Sequence, residues 1–191
     1  MDRKNAIQMK LKETMTKMLD SKRFEQITVS DLCRAAGTSR VTFYTYYDDK
    51  YSLLDDYFRD MLEKAEGDFT KLQMSNNPND DPETAYCNFL DAVLNLYYDR
   101  YDFFRHAEED QDQNLYFRYY WYVLRGFEKF TMRYCEVLRP VFTPEQTSAT
   151  LCNALWGLIH NCRAEKMPVD RIRKLAKEAL KILIESNFFV K

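Results

Sequence analysis

Thr28-Val-Ser-Asp-Leu-Cys-Arg-Ala-Ala-Gly-Thr-Ser-Arg-Val-Thr-Phe-Tyr-Thr-Tyr-Tyr47 is the stretch on which the fold turns. Thr28 stands three residues before Asp31, a hydroxyl answered by a carboxylate, which is a variant of the capping box that opens a helix. That helix runs through Leu32 and Ala35 until Gly37, which supplies a left-handed turn at no steric cost. Thr38 or Ser39 then caps a short helix reaching about Tyr46. Ala35 and Ala36 keep the crossing close, and Val29, Leu32, Phe43 and Tyr47 supply its apolar contacts. Two helices joined in this way make a helix-turn-helix, whose second helix enters the DNA major groove by its N-terminal end.

Packing leaves Ser39, Arg40, Thr42, Tyr44, Thr45 and Tyr46 facing outward on the second helix. Arg40 suits the paired acceptors of guanine, and Thr42 offers a methyl or a hydroxyl to a base edge. Tyr44 and Tyr46 place phenolic donors where phosphates pass, and Thr28 stands at a helix N-terminus, where backbone N–H groups attract anions. Lys50 adds an ammonium on the flank. The candidate DNA-binding set is therefore Thr28, Ser39, Arg40, Thr42, Tyr44, Thr45, Tyr46 and Lys50. Residues 1–47 hold nine Lys/Arg against five Asp/Glu, a local +4 within a chain of net charge -2. A hairpin that served packing alone has no use for such a basic, phenolic face.

Outward from this motif, residues 4–20 repeat apolar side chains at Ile7, Leu11, Met15, Met18 and Leu19 with the helical period. Asp48 and Asp49 open a fourth helix expected to reach about Lys71, their carboxylates at the positive end of its dipole. Beyond the polar tract of residues 74–82, helices are expected at about 83–99, 101–109, 113–138, 144–165 and 169–186. Only 4 glycines and 5 prolines in 191 residues leave too few turn residues for a sheet protein, so the expected fold is all-α. The expected organisation is a three-helix helix-turn-helix head over residues 1–50 and a larger helical regulatory and dimerisation body over 51–191.

No apolar run approaches the roughly 20 residues of a bilayer span. The N-terminus is charged where a secretory signal is apolar, so a cytoplasmic chain with no membrane attachment is expected. Its five cysteines are odd in number and lack paired spacing, which reads as reduced thiols in helix cores. Nucleotide loops, nucleophile elbows and metal-spaced histidines are absent from the sequence, so neither an enzyme nor a cofactor or metal site is expected.

From Ile27 to Leu54 the chain resembles the N-terminal signature of the tetracycline-repressor (TetR) family. The shared features are Thr28-Val29 at the helix start, Ala35-Ala36-Gly37 at the turn, Thr42-Phe43-Tyr44 with Tyr46-Tyr47, and Lys50 ahead of Leu53-Leu54. The resemblance covers about the first 60 residues. It implies a dimeric, all-helical transcriptional regulator, in most relatives a repressor, released from a palindromic double-stranded DNA operator by a small molecule. By resemblance, Arg40, Thr42 and Tyr46 fall where relatives touch bases, and Thr28, Ser39, Tyr44 and Lys50 where they touch phosphate. Asp48 and Asp49 depart from a stretch that is often basic in relatives, and weaker phosphate binding is expected there. The implied mechanism of release is a change in the spacing of two recognition helices, which must match half-sites about 34–36 Å apart or a multiple.

Aromatic residues crowd the body between residues 83 and 142. Phe103, Phe104, His106, Tyr116, Tyr120, Trp121, Phe127, Trp156 and His160 are candidates to line a pocket for a small apolar or aromatic ligand, with a large aromatic core as the alternative. The last two helices are apolar on more than one face. Leu151, Leu155, Leu158 and Cys162 form a stripe on one, and Ile172, Leu175, Ala179, Leu180 and Leu183 a stripe on the other. A surface helix needs one such stripe, so the surplus points to a homodimer joined through a four-helix bundle. The rival to a regulator is a dimeric helical interaction protein that works through protein partners.

Overall fold

A computed structural model of the chain describes residues 3–99 and 113–186. Every regular element among them is helical: α1 (Arg3–Leu19), a short 3-10 turn (Phe24–Gln26), α2 (Val29–Ala35), α3 (Arg40–Tyr44), α4 (Lys50–Asn76), α5 (Pro82–Asp99), α6 (Gln113–Arg133), α7 (Cys135–Leu138), α8 (Pro144–Ala164) and α9 (Val169–Glu185). The fold is all-α, a helix-turn-helix head followed by a larger helical body. The helix expected over 101–109 lies outside the described residues. No described helix is long and apolar enough to cross a membrane. Cys33, Cys87, Cys135, Cys152 and Cys162 are free thiols.

The chain divides into two compact units, Met1–Lys64 with Tyr97–Phe117, and Ala65–Leu96 with Arg118–Lys191. In the first, α1 packs on α2 and α2 on α3. Leu11, Met15 and Leu19 project from α1 at helical spacing and are fully buried with Phe24, Ile27, Leu32, Phe43, Leu53 and Leu54. Each such side chain contributes roughly 1.5–3 kcal/mol of transfer free energy. This short core therefore holds three helices that are individually too small to persist in water.

The second unit centres on α5, where Ala85, Tyr86, Phe89, Leu90, Ala92, Val93, Leu94 and Leu96 are all buried. Tyr86 stacks on Phe127 at 5.9 Å, and Phe89 meets Phe127 edge-on at 5.3 Å and Phe130 at 5.0 Å. Gly126 makes that arrangement possible, because a Cβ there would lie 2.0 Å from Phe89 Cζ. The Tyr86 hydroxyl meets Thr131 Oγ1 at 2.7 Å, and Ser148 Oγ donates to the same oxygen at 2.9 Å. These hydroxyls satisfy one another where no water reaches them. Burial pushes the Tyr86 phenol up to about 12, against the opposing effect of Thr131.

The helix expected over 113–138 is interrupted at Tyr134 (φ -100°, ψ 12°), and α7 ends at Arg139 in the left-handed region (φ 44°). The two residues at the break bond to a distant loop. Tyr134 donates its hydroxyl to Asp80 Oδ1 at 2.6 Å and Arg133 Nη2 donates to Asp80 Oδ2 at 2.8 Å, so consecutive residues grip one carboxylate. Helix α8 opens on a capping box between Thr143 and Gln146, with Pro144 in its first turn. It closes with the Met167 N–H donating to the Cys162 carbonyl at 3.0 Å and Lys166 N–H to the Arg163 carbonyl at 2.8 Å. Those two bonds make a Schellman end, with Lys166 at φ 55°. On α9, Arg173 donates to Asp91 and Asn95 of α5 at 2.8 Å each, and Lys177 pairs with Asp91 at 2.5 Å.

Candidate nucleic-acid interface

Helix α2 begins at a complete capping box. Thr28 Oγ1 accepts the Asp31 N–H at 3.1 Å and donates to Asp31 Oδ2 at 2.7 Å. Arg34 Nη2 donates to the other oxygen of Asp31 at 2.9 Å. The Thr28 hydroxyl, with Arg34 assisting, holds the Asp31 carboxyl below its ordinary value. At the other end of α2 the Gly37 N–H reaches the Arg34 carbonyl at 3.2 Å and the Thr38 N–H the Cys33 carbonyl at 2.9 Å. Gly37 sits at φ 59°, so a side-chained residue there would be strained whatever space surrounds it. The tight turn that sets α3 across α2 is thus a Schellman end built on one glycine.

Ser39 caps α3, its Oγ accepting the Thr42 N–H at 3.0 Å and lying 2.8 Å from Thr42 Oγ1. Phe43 is the single fully buried side chain of this five-residue helix. Arg40, Tyr44 and Thr45 are exposed, while Thr42 and Tyr46 are half-buried. The Arg40 guanidinium lies 6.0 Å from the Tyr44 ring centroid, which steers it along the helix surface. Thr45 Oγ1 donates to the Val41 carbonyl at 3.0 Å, leaving its oxygen lone pairs to accept. Residues 39–46 therefore bring the expected base-side set together on one short segment.

Two residues change the expected site. Val41 is 79% exposed, an apolar side chain held in water on the same face as Arg40 and Tyr44. It was not among the expected residues, although its place two positions before Phe43 puts it about 200° around the helix from the core. A branched apolar side chain there suits the methyl group of thymine.

Lys50 departs from expectation in the other direction. Its ammonium donates to the carbonyls of Phe24 at 2.8 Å, Glu25 at 3.0 Å and Ile27 at 3.0 Å, and lies 4.7 Å from the Phe24 ring centroid. An ammonium has three N–H bonds, and all three have acceptors inside the head. Lys50 thus closes the end of the 3-10 turn. Replacing it with methionine is expected to cost about 1–2 kcal/mol, or roughly 2–8 °C in thermal midpoint for a chain of this size. Calorimetry checks the midpoint. DNA titration at several salt concentrations is expected to show an unchanged slope, and a slope reduced by about 1 would restore Lys50 to the phosphate set.

Asp49 also works locally, its Oδ1 accepting the Ser52 N–H at 2.7 Å and Ser52 Oγ at 2.9 Å at the start of α4. A second carboxylate ties the head together further on. Tyr47, 5% exposed, donates its hydroxyl to Asp56 Oδ2 at 2.7 Å, and Lys12 pairs with Asp56 at 2.8 Å and with Asp60 at 2.7 Å. Burial alone would raise the Asp56 carboxyl, but the bonds from Lys12 and Tyr47 outweigh it and hold Asp56 below its ordinary value.

Among the residues expected to line a ligand pocket, Phe103, Phe104, His106 and the side chain of Tyr116 lie outside the described residues. Phe127 is 1% exposed and belongs to the aromatic core of the second unit. Tyr120 and Trp156 meet at 5.7 Å, Tyr119 closes on Trp156 at 5.6 Å, and the Tyr120 hydroxyl donates to Asn153 Oδ1 at 3.1 Å. Trp121 and His160 are exposed.

Much of the expected dimer stripe is buried within the single chain. Leu151, Leu155, Cys162, Ile172 and Leu180 are buried within the chain's own core. Leu158, Leu175, Ala179 and Leu183 are half-buried. Arg173 and Lys177 turn that side of α9 toward α5, so most of the stripe is already covered without a partner. The surface that α8 and α9 leave open includes Ala154, Gly157, Asn161 and Ile182. No group of three metal-ligating side chains occurs among the described residues.

Residues 16–57 match the family model described as bacterial regulatory proteins, tetR family. The HTH-type transcriptional regulator EthR of Mycolicibacterium smegmatis is 30% identical over 84 residues, which is 44% of this chain and 38% of that protein. The aligned stretch therefore spans well under half of that relative. A TetR-family transcriptional regulator from Syntrophomonas wolfei superposes with a TM-score of 0.77 at 11% identity, over 98% of this chain and 99% of its own. A transcriptional regulator from Aquifex aeolicus VF5 gives 0.58 at 17% identity, over 93% of this chain and 99% of its own. At those identities the likeness is one of fold.

Proposed function

We propose that this chain, a member of the tetR family of bacterial regulatory proteins, acts in the cytoplasm as a homodimer that reads a pseudo-palindromic DNA operator, and that a small molecule held by its body lowers its affinity for that operator. The observation that carries the reading is the split character of α3: one buried plug, Phe43, and an outer face that presents Arg40, Val41 and Tyr44 together. Burying a lone apolar side chain such as Val41 would be favourable, and exposing it beside a guanidinium and a phenol suits a groove that offers methyls, acceptors and phosphates at once.

A dimer is favoured because a single recognition helix offers only about three or four side chains to base edges, whereas two heads read both halves of an operator. The small outward residues Ala154, Gly157 and Asn161 recur at helical spacing on α8 and would let a second copy's helix approach closely. Support for a ligand comes from Tyr119, Tyr120 and Trp156, apolar surfaces carrying a few orienting polar groups. Such a ligand would weaken DNA binding only by its differential affinity for a state with the wrong head spacing.

The test is a base-by-base binding profile. Arg40→Ala is expected to weaken binding by on the order of 1–3 kcal/mol and to relax preference at one position of each half-site. The same titration is expected to reach two chains per duplex. A profile identical to wild type would remove Arg40 from base reading, and one chain per duplex would overturn the dimer.

A further inference from the structure

We propose that Tyr47, Asp56 and Lys12 are positioning residues for base reading: their hydrogen-bonded chain orients α3 on α4 without touching DNA. The proposal rests on the DNA reading above and adds to it a determinant of specificity outside the contact face.

Helix α3 is held at its N-terminal end by the Ser39 cap and in the middle by one plug, Phe43. A single apolar plug fixes how deep a helix sits, yet apolar contact is non-directional and leaves the helix able to rock about that point. A second anchor must therefore set its angle. The backbone carries α3 directly into that anchor, since the N–H groups of Tyr46 and Tyr47 both donate to the Phe43 carbonyl at 3.0 Å. Any change in the attitude of α3 is accordingly felt at Tyr47.

The Tyr47 ring is 5% exposed, and its phenol donates to Asp56 Oδ2 at 2.7 Å. Asp56 in turn pairs with Lys12 of α1 at 2.8 Å, and Lys12 bridges onward to Asp60 at 2.7 Å. Arg59 stands 3.6 Å from the other Asp56 oxygen. The Lys12 and Asp56 side chains retain only 12% and 18% of their exposure, so separating them would strand charge in a poorly hydrated place. Hydrogen bonds are directional where apolar contacts are not, and one carboxylate here receives bonds from α1 and from the residue that closes the α3 segment. The geometry is that of a brace. It fixes the angle at which Arg40, Val41 and Tyr44 meet the bases.

Removing the brace has a signature that loss of a DNA contact does not share. Tyr47→Phe deletes one hydroxyl and keeps the ring, so phosphate contacts and net charge stay as they were. The experiment selects duplexes from random DNA with the wild-type full-length chain. It then measures binding of wild type, Tyr47→Phe, Asp56→Asn and Asp56→Ala to the selected duplex and to a scrambled duplex, at several salt concentrations, with folding followed by circular dichroism. Tyr47→Phe is expected to lose about 5–10-fold in affinity for the selected duplex, with scrambled-duplex binding and the salt slope unchanged. Asp56→Asn keeps an acceptor for Tyr47 and is expected to retain more of the specificity ratio than Asp56→Ala. If Tyr47→Phe does not fold, the two Asp56 variants carry the comparison.

A purely structural role predicts a lower melting point with the specificity ratio intact at temperatures well below it. A folded Tyr47→Phe protein with the wild-type ratio, or equal ratios for the two Asp56 variants, would overturn the brace while leaving DNA reading in place. Failure of the wild-type chain to enrich any sequence would overturn DNA reading and the brace with it.

Discussion

Phe43→Ala is expected to cost about 3–5 kcal/mol, most of the stability that a small helical head can have. Phe43 is fully buried, and it is the only buried side chain that α3 contributes. Its ring meets Tyr44 edge-on at 5.5 Å and Tyr47 at 5.7 Å, so truncation also removes the surface against which both tyrosines are set. A five-residue helix has no intrinsic stability in water and exists only because it is packed. Urea unfolding followed by circular dichroism measures the loss. The expected outcome is a weakened or separate early transition for the head together with loss of sequence-specific DNA binding. A cost below about 1 kcal/mol would mean that something other than Phe43 anchors α3.

The second large effect is expected in the other unit. Gly126→Ala places a Cβ 2.0 Å from Phe89 Cζ and 2.6 Å from Cε2, well inside any real contact distance. Phe89 cannot swing away freely, because Phe69, Phe127 and Phe130 meet its ring at 6.5, 5.3 and 5.0 Å. Overpacking of this kind typically costs about 1–3 kcal/mol and occasionally more. It must also overcome the roughly 1 kcal/mol that alanine gains over glycine inside a helix. Gly67→Ala supplies the control, since a Cβ at Gly67 meets nothing within 4 Å and the residue lies in the same kind of helix interior. The two variants are expected to shift the thermal midpoint in opposite directions, Gly126→Ala down and Gly67→Ala up. An increase for both would show that Phe89 moves aside without cost.

What the sequence made legible follows the range of the interactions concerned. Thr28 with Asp31, Gly37 and Ser39 act on backbone groups at most three residues away, so composition and spacing reveal them. The helix boundaries around them agree with expectation for the same reason. The bonds that Lys50 makes were not legible because its acceptors lie 23 to 26 residues earlier, and only the closed head shows its ammonium turned inward. The Tyr134 contact at the helix break was hidden in the same way, since its partner, Asp80, is 54 residues away.

Leu151, Leu155, Cys162, Ile172 and Leu180 illustrate a different limit. An apolar stripe states that a face is buried, and carries no information on whether its own chain or a second copy does the burying. Val41 is the converse case, an apolar residue whose angular position on a short helix leaves it 79% exposed. The Tyr47–Asp56–Lys12 brace combines both difficulties, being long-range in sequence and built from residue types that are ordinarily solvated.

The central claim is that the outer face of α3 reads DNA, and fluorescence anisotropy tests it most directly. Wild type and an Arg40→Ala, Tyr44→Ala double variant are titrated against the duplex that the wild-type chain enriches from random DNA, at two salt concentrations. Tight, salt-sensitive binding by wild type that falls at least about tenfold in a folded double variant is the expected result. Equal, weak binding by both proteins would contradict the claim and leave the helix-turn-helix as a packing unit of a dimeric interaction protein.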